Sequence, residues 1–226
     1  MNNIHISCII DQHVELGVGN KILPNTIIYG PVRIGDNNII GPGVVIGMPG
    51  QDTKNKYYDS SNSMIEIGNG NIIREFTSIQ KPCYEEVTKI GSNTFLMHGV
   101  HIPHDAILQD DVVITPGCVL AGITKILRGA SLGLSSAVHQ RSVVGQYSMI
   151  SMSSCVTKNI RPFTIYTEGK RPRLNRYAIE KFGFSEYVDE ITKYVRDGVM
   201  PESKKILDLV LEFETLHTAS KRTLYE

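Results

Sequence analysis

Residues 88–156 read TKIGSNTFLMHGVHIPHDAILQDDVVITPGCVLAGITKILRGASLGLSSAVHQRSVVGQYSMISMSSCV, and the spacing of their apolar side chains decides the fold. An aliphatic residue recurs at every sixth position: Ile90, Leu96, Ile102, Leu108, Ile114, Leu120, Ile126, Leu132, Val138, Val144, Ile150 and Val156. Two residues ahead of each stands a small or β-branched one, from Thr88, Thr94 and Val100 through to Ser142, Ser148 and Ser154. A six-residue period fits neither a 3.6-residue helix nor a simple alternating sheet face. It does fit short strands separated by turns, three strands to each 18-residue coil. The predicted fold is therefore mainly β, a left-handed parallel β-helix of hexapeptide repeats. The aliphatic row fills the prism axis, and the small row permits the tight corners.

The same spacing extends toward the N-terminus in two shorter blocks, from Ile4, Ile10 and Leu16 to Ile40 and Ile46, then Ile67, Ile73 and Ile79. Breaks at residues 47–66 and 80–89 are expected to loop out of the prism, and loops on a rigid scaffold are favoured places for function. Gly35-Asp36-Asn37 and Gly68-Asn69-Gly70-Asn71 carry the residue types that tolerate left-handed turns. After Val156 the pattern stops, and Arg161-Pro162 is expected to break the last strand. The β-helix is thus assigned residues 1–165, and residues 166–226 a connector and a small α-helical region. Lys170-Arg171-Pro172-Arg173 reads as connector. Ser185 is the expected N-cap of a helix carrying Tyr187, Val188, Ile191, Tyr194 and Val195, and Pro201 the expected start of a second carrying Ile206, Leu207, Val210, Leu211 and Phe213.

Composition narrows the function classes. Lys and Arg number 23, as do Asp and Glu. The balance leaves no footprint for broad binding to nucleic acid or to an anionic membrane. MNNIHISCII lacks the basic stretch and apolar run of a signal peptide, and no segment approaches the roughly 18 apolar residues of a membrane span. A cytoplasmic protein is expected. Cys8, Cys83, Cys118 and Cys155 form no Cys-x-x-Cys pair, which speaks against a disulfide framework or thiolate zinc, and Cys8 and Cys118 fall on inward small positions.

Three histidines fall in Leu96-Met97-His98-Gly99-Val100-His101-Ile102-Pro103-His104-Asp105. Val100 and Ile102 occupy inward phases, so His98, His101 and His104 are predicted to project outward rather than into the core. Eighteen residues above His104 is Gly122, and eighteen above that Gln140, with His139 beside it; stacked coils place these in one column. A histidine suits proton abstraction near neutral pH, and Asp105 beside it would fix its tautomer. A glycine leaves its N–H open to an oxyanion, and a Gln amide holds a substrate group. These are the parts of an acyl-transfer site. A solvated histidine surface and a histidine zinc site of γ-carbonic-anhydrase type are the alternatives.

Taken together, Ile46-Gly47 to Gln51-Asp52, Ile73-Arg74-Glu75 to Ile79, His101-Ile102-Pro103-His104-Asp105, Leu120-Ala121-Gly122, Ala137-Val138-His139-Gln140 and Gly183-Phe184-Ser185 resemble the acyl-carrier-protein-dependent UDP-N-acetylglucosamine O-acyltransferase family of lipid A biosynthesis (LpxA). The resemblance runs from about residue 4 to about 184. It implies a homotrimer with active sites in the clefts between subunits, no bound cofactor or metal, and an acyl-carrier protein or coenzyme A thioester as co-substrate. It also implies roles: His104 as general base, Asp105 as its orienting acid and Gly122 as oxyanion glycine. Gln51, Asp52, His101, His139 and Gln140 line the sugar and acyl-donor cleft, and Lys181 lies near the nucleotide phosphates. The chain departs from the family at Ile123, where a second histidine is usual, at Gln80-Lys81-Pro82 and at Lys181-Phe182. An N-acyltransferase of a nucleotide-linked amino sugar, or a non-catalytic trimeric scaffold, are the rival readings. Lys170, Arg171, Arg173 and Arg176 fit either a carrier-protein contact or a solvated connector.

Overall fold

The computed structural model describes residues 1–52 and 63–226, so residues 53–62 of the expected 47–66 loop lie outside the described residues. Strands of two to four residues wind in order onto three sheets of ten, eight and seven strands, making the left-handed parallel β-helix. Pairing advances 18 residues per coil: Asn3 lies on Lys21, Phe95 on Val113 and Val119 on Ala137. Two coils differ. Arg33 pairs with Glu66 and Glu66 with Lys89, offsets of 33 and 23, so 33 − 18 = 15 and 23 − 18 = 5 residues are inserted without loss of register. Strands Val45–Met48, Met64–Ile67, Ser78–Gln80 and Val87–Ile90 take up the ends of both breaks, because the backbone there still finds ladder partners.

The aliphatic row forms the axis: Ile28, Ile46, Ile73, Leu96, Ile102, Ile114 and Ile150 are each 0% exposed. Each such side chain contributes roughly 1.5–3 kcal/mol. Cys118 lies in the same core and Cys8 packs against it. Along one corner the small row is a ladder of amides. Asn20 Oδ1 accepts the Asn38 N–H at 2.8 Å, Asn38 Oδ1 the Asn71 N–H at 2.9 Å, and Asn71 Oδ1 the Thr94 N–H at 2.8 Å. These satisfy corner amides that would otherwise be buried without a partner.

Past Arg161-Pro162 the ten-stranded sheet continues, which corrects the expected stop. Thr164–Tyr166 pairs with Met149–Ile150, and Arg173–Leu174 adds antiparallel to it, so part of the expected connector is strand. The Tyr166 ring meets the Tyr225 ring at 4.6 Å, and both belong to the axial core, an aromatic end to the aliphatic row. A helix that periodicity could not reveal, α1 (Arg176–Lys181), follows Asn175, whose side chain accepts the Ala178 N–H at 3.3 Å. Ser185 opens a 3-10 turn without a side-chain cap rather than the α-helix itself; α2 is Val188–Asp197. The last helix, α3 (Lys204–Ser220), begins after Ser203 rather than at Pro201. These helices pack on the prism: Tyr147 and Phe163 join Ile191, Tyr194 and Val210, while Phe213 meets Leu127 and Val143 on the seven-stranded sheet. Among the described residues no helix is long and apolar enough to cross a membrane.

Candidate active site

Strand His101–Ile102 of the eight-stranded sheet passes to Ile107–Leu108 of the seven-stranded sheet through a corner at residues 103–106. Ile102 and Ala106 point into the core, leaving His104 and Asp105 at the outer edge. Asp105 adopts φ +60° and donates its N–H to Thr88 Oγ1 at 3.0 Å. Asp is one of the few non-glycine types for which that conformation costs little.

His104 Nδ1 and Asp105 Oδ2 are 2.7 Å apart. An ionised carboxylate only accepts, so Nδ1 carries a proton, and in the neutral imidazole Nε2 is then the nitrogen with the lone pair. The carboxylate also accepts N–H bonds from Cys83 at 3.1 Å, Tyr84 at 3.1 Å and Glu85 at 2.8 Å. All three donors lie in the five-residue insertion, which wraps its amides around the acid. Burial alone would raise the Asp105 carboxyl. The His104 bond and the three amides outweigh it and hold the group below the ordinary carboxylate value.

The outward phase expected of His104 holds in that the ring lies outside the axial core, yet it is only 6% exposed. Gly50 explains this, since a Cβ there would stand 2.3 Å from Cys83 Sγ and 2.6 Å from His104 Cβ. Tyr84 closes another side, its ring centroid 5.9 Å from that of His104 and its hydroxyl donating to Asp52 Oδ2 at 2.5 Å. The covering groups come from the two insertions, so repeat phase alone could not reveal them.

Gly122 sits one coil along. A Cβ at this position would lie 2.2 Å from His104 Cε1 and 2.4 Å from Nε2, so any other residue would displace the imidazole. The corner stacks in register: Ile123 N–H donates to the His104 carbonyl and Arg141 N–H to the Gly122 carbonyl, both at 3.1 Å. Gln140, half-buried, and His139, exposed, follow one coil further. Arg222, from the segment after α3, donates to His139 Nδ1 and to the Gln140 carbonyl.

His101 is half-buried, with Nδ1 2.8 Å from Ser78 Oγ. Burial, and then the nearby His104, hold its imidazole below the ordinary value. The Gln51 N–H donates to Gln80 Oε1 at 3.3 Å, which ties the first insertion to the second. His98 stands apart, exposed and 3.5 Å from Glu75 at the corner before strand His101–Ile102. The three histidines therefore do not converge. Among the described residues the cluster with metal-ligand potential is Cys83, His104 and Asp105. Both Asp105 oxygens and His104 Nδ1 already take part in hydrogen bonds, so this donor set fits a dyad better than a metal centre.

Lys181 is not brought to the dyad within one chain. It closes α1 with Nζ over the Phe182 ring at 5.1 Å, and Phe182 packs on Tyr147 at the corner between the seven- and ten-stranded sheets. Beside the dyad lies a cavity of 520 Å³ lined by Tyr84, Glu85, Glu86, Asp105, Ile123 and Lys125, among others. Cys83, Tyr84 and Arg222 reach the site from outside the repeat. Sequence offered no signal for Arg222, and for the other two only their place in a break.

Residues 13–47 and 88–122 match the bacterial transferase hexapeptide (six repeats) family. The acyl-[acyl-carrier-protein]–UDP-N-acetylglucosamine O-acyltransferase of Synechocystis is 35% identical over 163 residues, 70% of this chain and 58% of that protein. The enzyme of the same name from Thermodesulfovibrio yellowstonii is 34% identical over 191 residues, 82% of this chain and 72% of that one. The chain thus spans less than two thirds of the Synechocystis relative. The crystal structure of LpxA, a UDP-N-acetylglucosamine acyltransferase from Bacteroides fragilis, superposes with a TM-score of 0.81 at 27% identity, covering 100% of this chain and 98% of that one.

Proposed function

The chain belongs to the acyl-[acyl-carrier-protein]–UDP-N-acetylglucosamine O-acyltransferase family, and from that membership we propose that it moves an acyl group from a carrier-protein or coenzyme A thioester to a hydroxyl of a nucleotide-linked sugar. The observation that carries this reading is the buried His104–Asp105 pair, with the Cε1–Nε2 edge of the imidazole lying against Gly122.

In this mechanism Nε2 takes the proton of the acceptor hydroxyl while its oxygen attacks the thioester carbonyl. Asp105 holds the ring and stabilises the imidazolium; the Gly122 N–H meets the oxyanion. Collapse of the tetrahedral intermediate expels the thiolate, which recovers the proton from His104. Gln51, Asp52, His101, His139 and Gln140 line the substrate cleft. The protein acts as a cytoplasmic homotrimer, in which Lys181 of a neighbouring copy faces the dyad across the subunit boundary. Its position on another edge of its own prism supports that arrangement.

The test incubates purified protein with acyl-carrier protein thioesters of several chain lengths and UDP-N-acetylglucosamine, following the acylated sugar by mass spectrometry. His104→Ala is expected to lower turnover by about 10²–10⁴ with the assembly intact. An unchanged rate dismisses the assignment. Glu85 and Glu86, which line the cavity beside the dyad, favour including an amino-sugar nucleotide as a second acceptor, since paired carboxylates suit an ammonium group.

A further inference from the structure

We propose that Arg222 is a positioning residue of this site: it fixes His139 in the tautomer whose Nε2 carries the proton and pins the Gln140 corner. A proton donor of set orientation then stands on the same edge of the prism as His104, two coils along. The clamp itself rests on geometry alone. Its use by a substrate rests on the acyl-transfer reading.

Arg222 makes three contacts with the β-helix. Nη2 donates to His139 Nδ1, Nε to the Gln140 carbonyl at 2.9 Å, and Nη1 to the Thr157 carbonyl at 3.5 Å. A guanidinium has no acceptor and keeps its protons, so Nδ1 must be the nitrogen with the lone pair. The Gln140 carbonyl lies 3.4 Å from the same Nδ1 and would draw a proton onto it were Arg222 absent. Arg222 both takes the lone pair and occupies that carbonyl, and the proton is left on Nε2.

The arm that carries Arg222 is anchored. Asn159 is 0% exposed and spends its whole side chain on it: Nδ2 bonds to His217 Nδ1 and Ser220 Oγ, both at 2.7 Å, while Oδ1 accepts the Val143 N–H at 2.8 Å. Its backbone pairs with the same segment, the N–H donating to Thr223 and the carbonyl accepting from Tyr225, both at 2.9 Å. Ser220 Oγ in turn accepts the Arg222 N–H at 3.2 Å. This is a braced cation rather than a solvated one.

An Nε2–H backed by a guanidinium suits an oxygen with negative charge, and phosphate is the chemical class it would take. Two sources offer one: the diphosphate of the acceptor nucleotide and the phosphopantetheine of the acyl donor.

Two-bond ¹H–¹⁵N correlation spectra of the isotope-labelled protein read the His139 tautomer without any substrate. The expected result is Nε2–H in the unsubstituted protein, a shift to Nδ1–H in Arg222→Ala, and retention of Nε2–H in Arg222→Lys. A protonated Nδ1 in the unsubstituted protein, or an unchanged spectrum in a folded Arg222→Ala, overturns the clamp. In turnover assays Arg222→Ala is expected to raise the KM of one substrate about tenfold while kcat moves less than about threefold, with Lys restoring most of the loss. A raised KM for the nucleotide sugar assigns the phosphate to the acceptor, and a raised KM for the thioester assigns it to the donor. Two unchanged KM values overturn the substrate role. Absence of acyl transfer by the unsubstituted protein counts against the acyl-transfer reading, and the tautomer still decides the clamp.

Discussion

Ile123 holds φ +63° although it is β-branched, a conformation that costs an L-residue of this kind about 1–2 kcal/mol. Corners of the same repeat phase on the other edges include Asn25, Asn37 and Asn93, which bear it more easily. Phe76, Arg141, Tyr147 and Phe163 hold it too, but among the described residues Ile123 is the one β-branched residue that does. Ile123 lines the cavity beside Asp105, so a locally unfavourable residue stands where an acceptor would be recognised. Ile123→Asn should therefore raise stability by about 1 kcal/mol, read as a higher denaturation midpoint, and also change acceptor KM. The acids and bases of the site set a pH dependence as well. Asp105 lies below its ordinary value of 3.8, so its contribution to stability is complete above that pH and is lost as pH falls toward the depressed folded value. His101 lies below its ordinary value of 6.5 because it is buried, so the unfolded chain takes the proton first and stability declines as pH drops below about 6.5. Urea melts between pH 7.5 and 5 (roughly the range over which an imidazole titrates) should show that slope, and His101→Gln should flatten it.

Among the elements, the asparagine ladder is the part of the corner that carries most polar bonding. Asn38 Oδ1 accepts the Asn71 N–H, and Asn38 itself donates both its N–H and its Nδ2 to Asn20. Asn38→Ala keeps the N–H bond to Asn20 but leaves the buried Asn71 N–H without its acceptor, and should cost about 1–3 kcal/mol, measurable by chemical denaturation. The six-residue rows made the coils legible, because the same apolar environment recurs at every step and chance does not imitate it. The insertions were legible only as breaks. That Cys83, Tyr84 and Glu85 aim their amides at Asp105 depends on backbone directions no side-chain pattern encodes. Helix α1 escaped notice because six residues give fewer than two turns of periodicity. Ser185 and Pro201 marked the right neighbourhood, but Tyr187 and Ser203 occupy the N-cap positions of α2 and α3, a displacement of two residues at each.

For the whole molecule, the outer face of the ten-stranded sheet stacks Ile39, Ile72, Phe95 and Val113 one above another, with Ile39 at 42% and Ile72 at 38% exposure. A contiguous apolar row on the outside of a prism marks an interaction surface, which suits the proposed trimer. Sedimentation of the protein should give three copies, and Ile72→Lys should shift it to smaller species; a monomer without the substitution sets the trimer aside. Lys181 was legible as a basic position of the family, but not as a residue on a different edge from the dyad, because a linear string says nothing of which edge of the prism α1 packs against. Finally, the 18-residue advance makes angular phase a property of chain length. Removing residues 3–20, one complete turn of the screw, would shorten the prism while every downstream side chain keeps its bearing. Removing six residues would rotate everything beyond the cut by one third of a revolution and carry the His104 edge round to a neighbouring side. Length changes in this protein are therefore harmless or ruinous according to their remainder on division by eighteen, and the two insertions escape that arithmetic because they leave the spiral and return to it at the same angle.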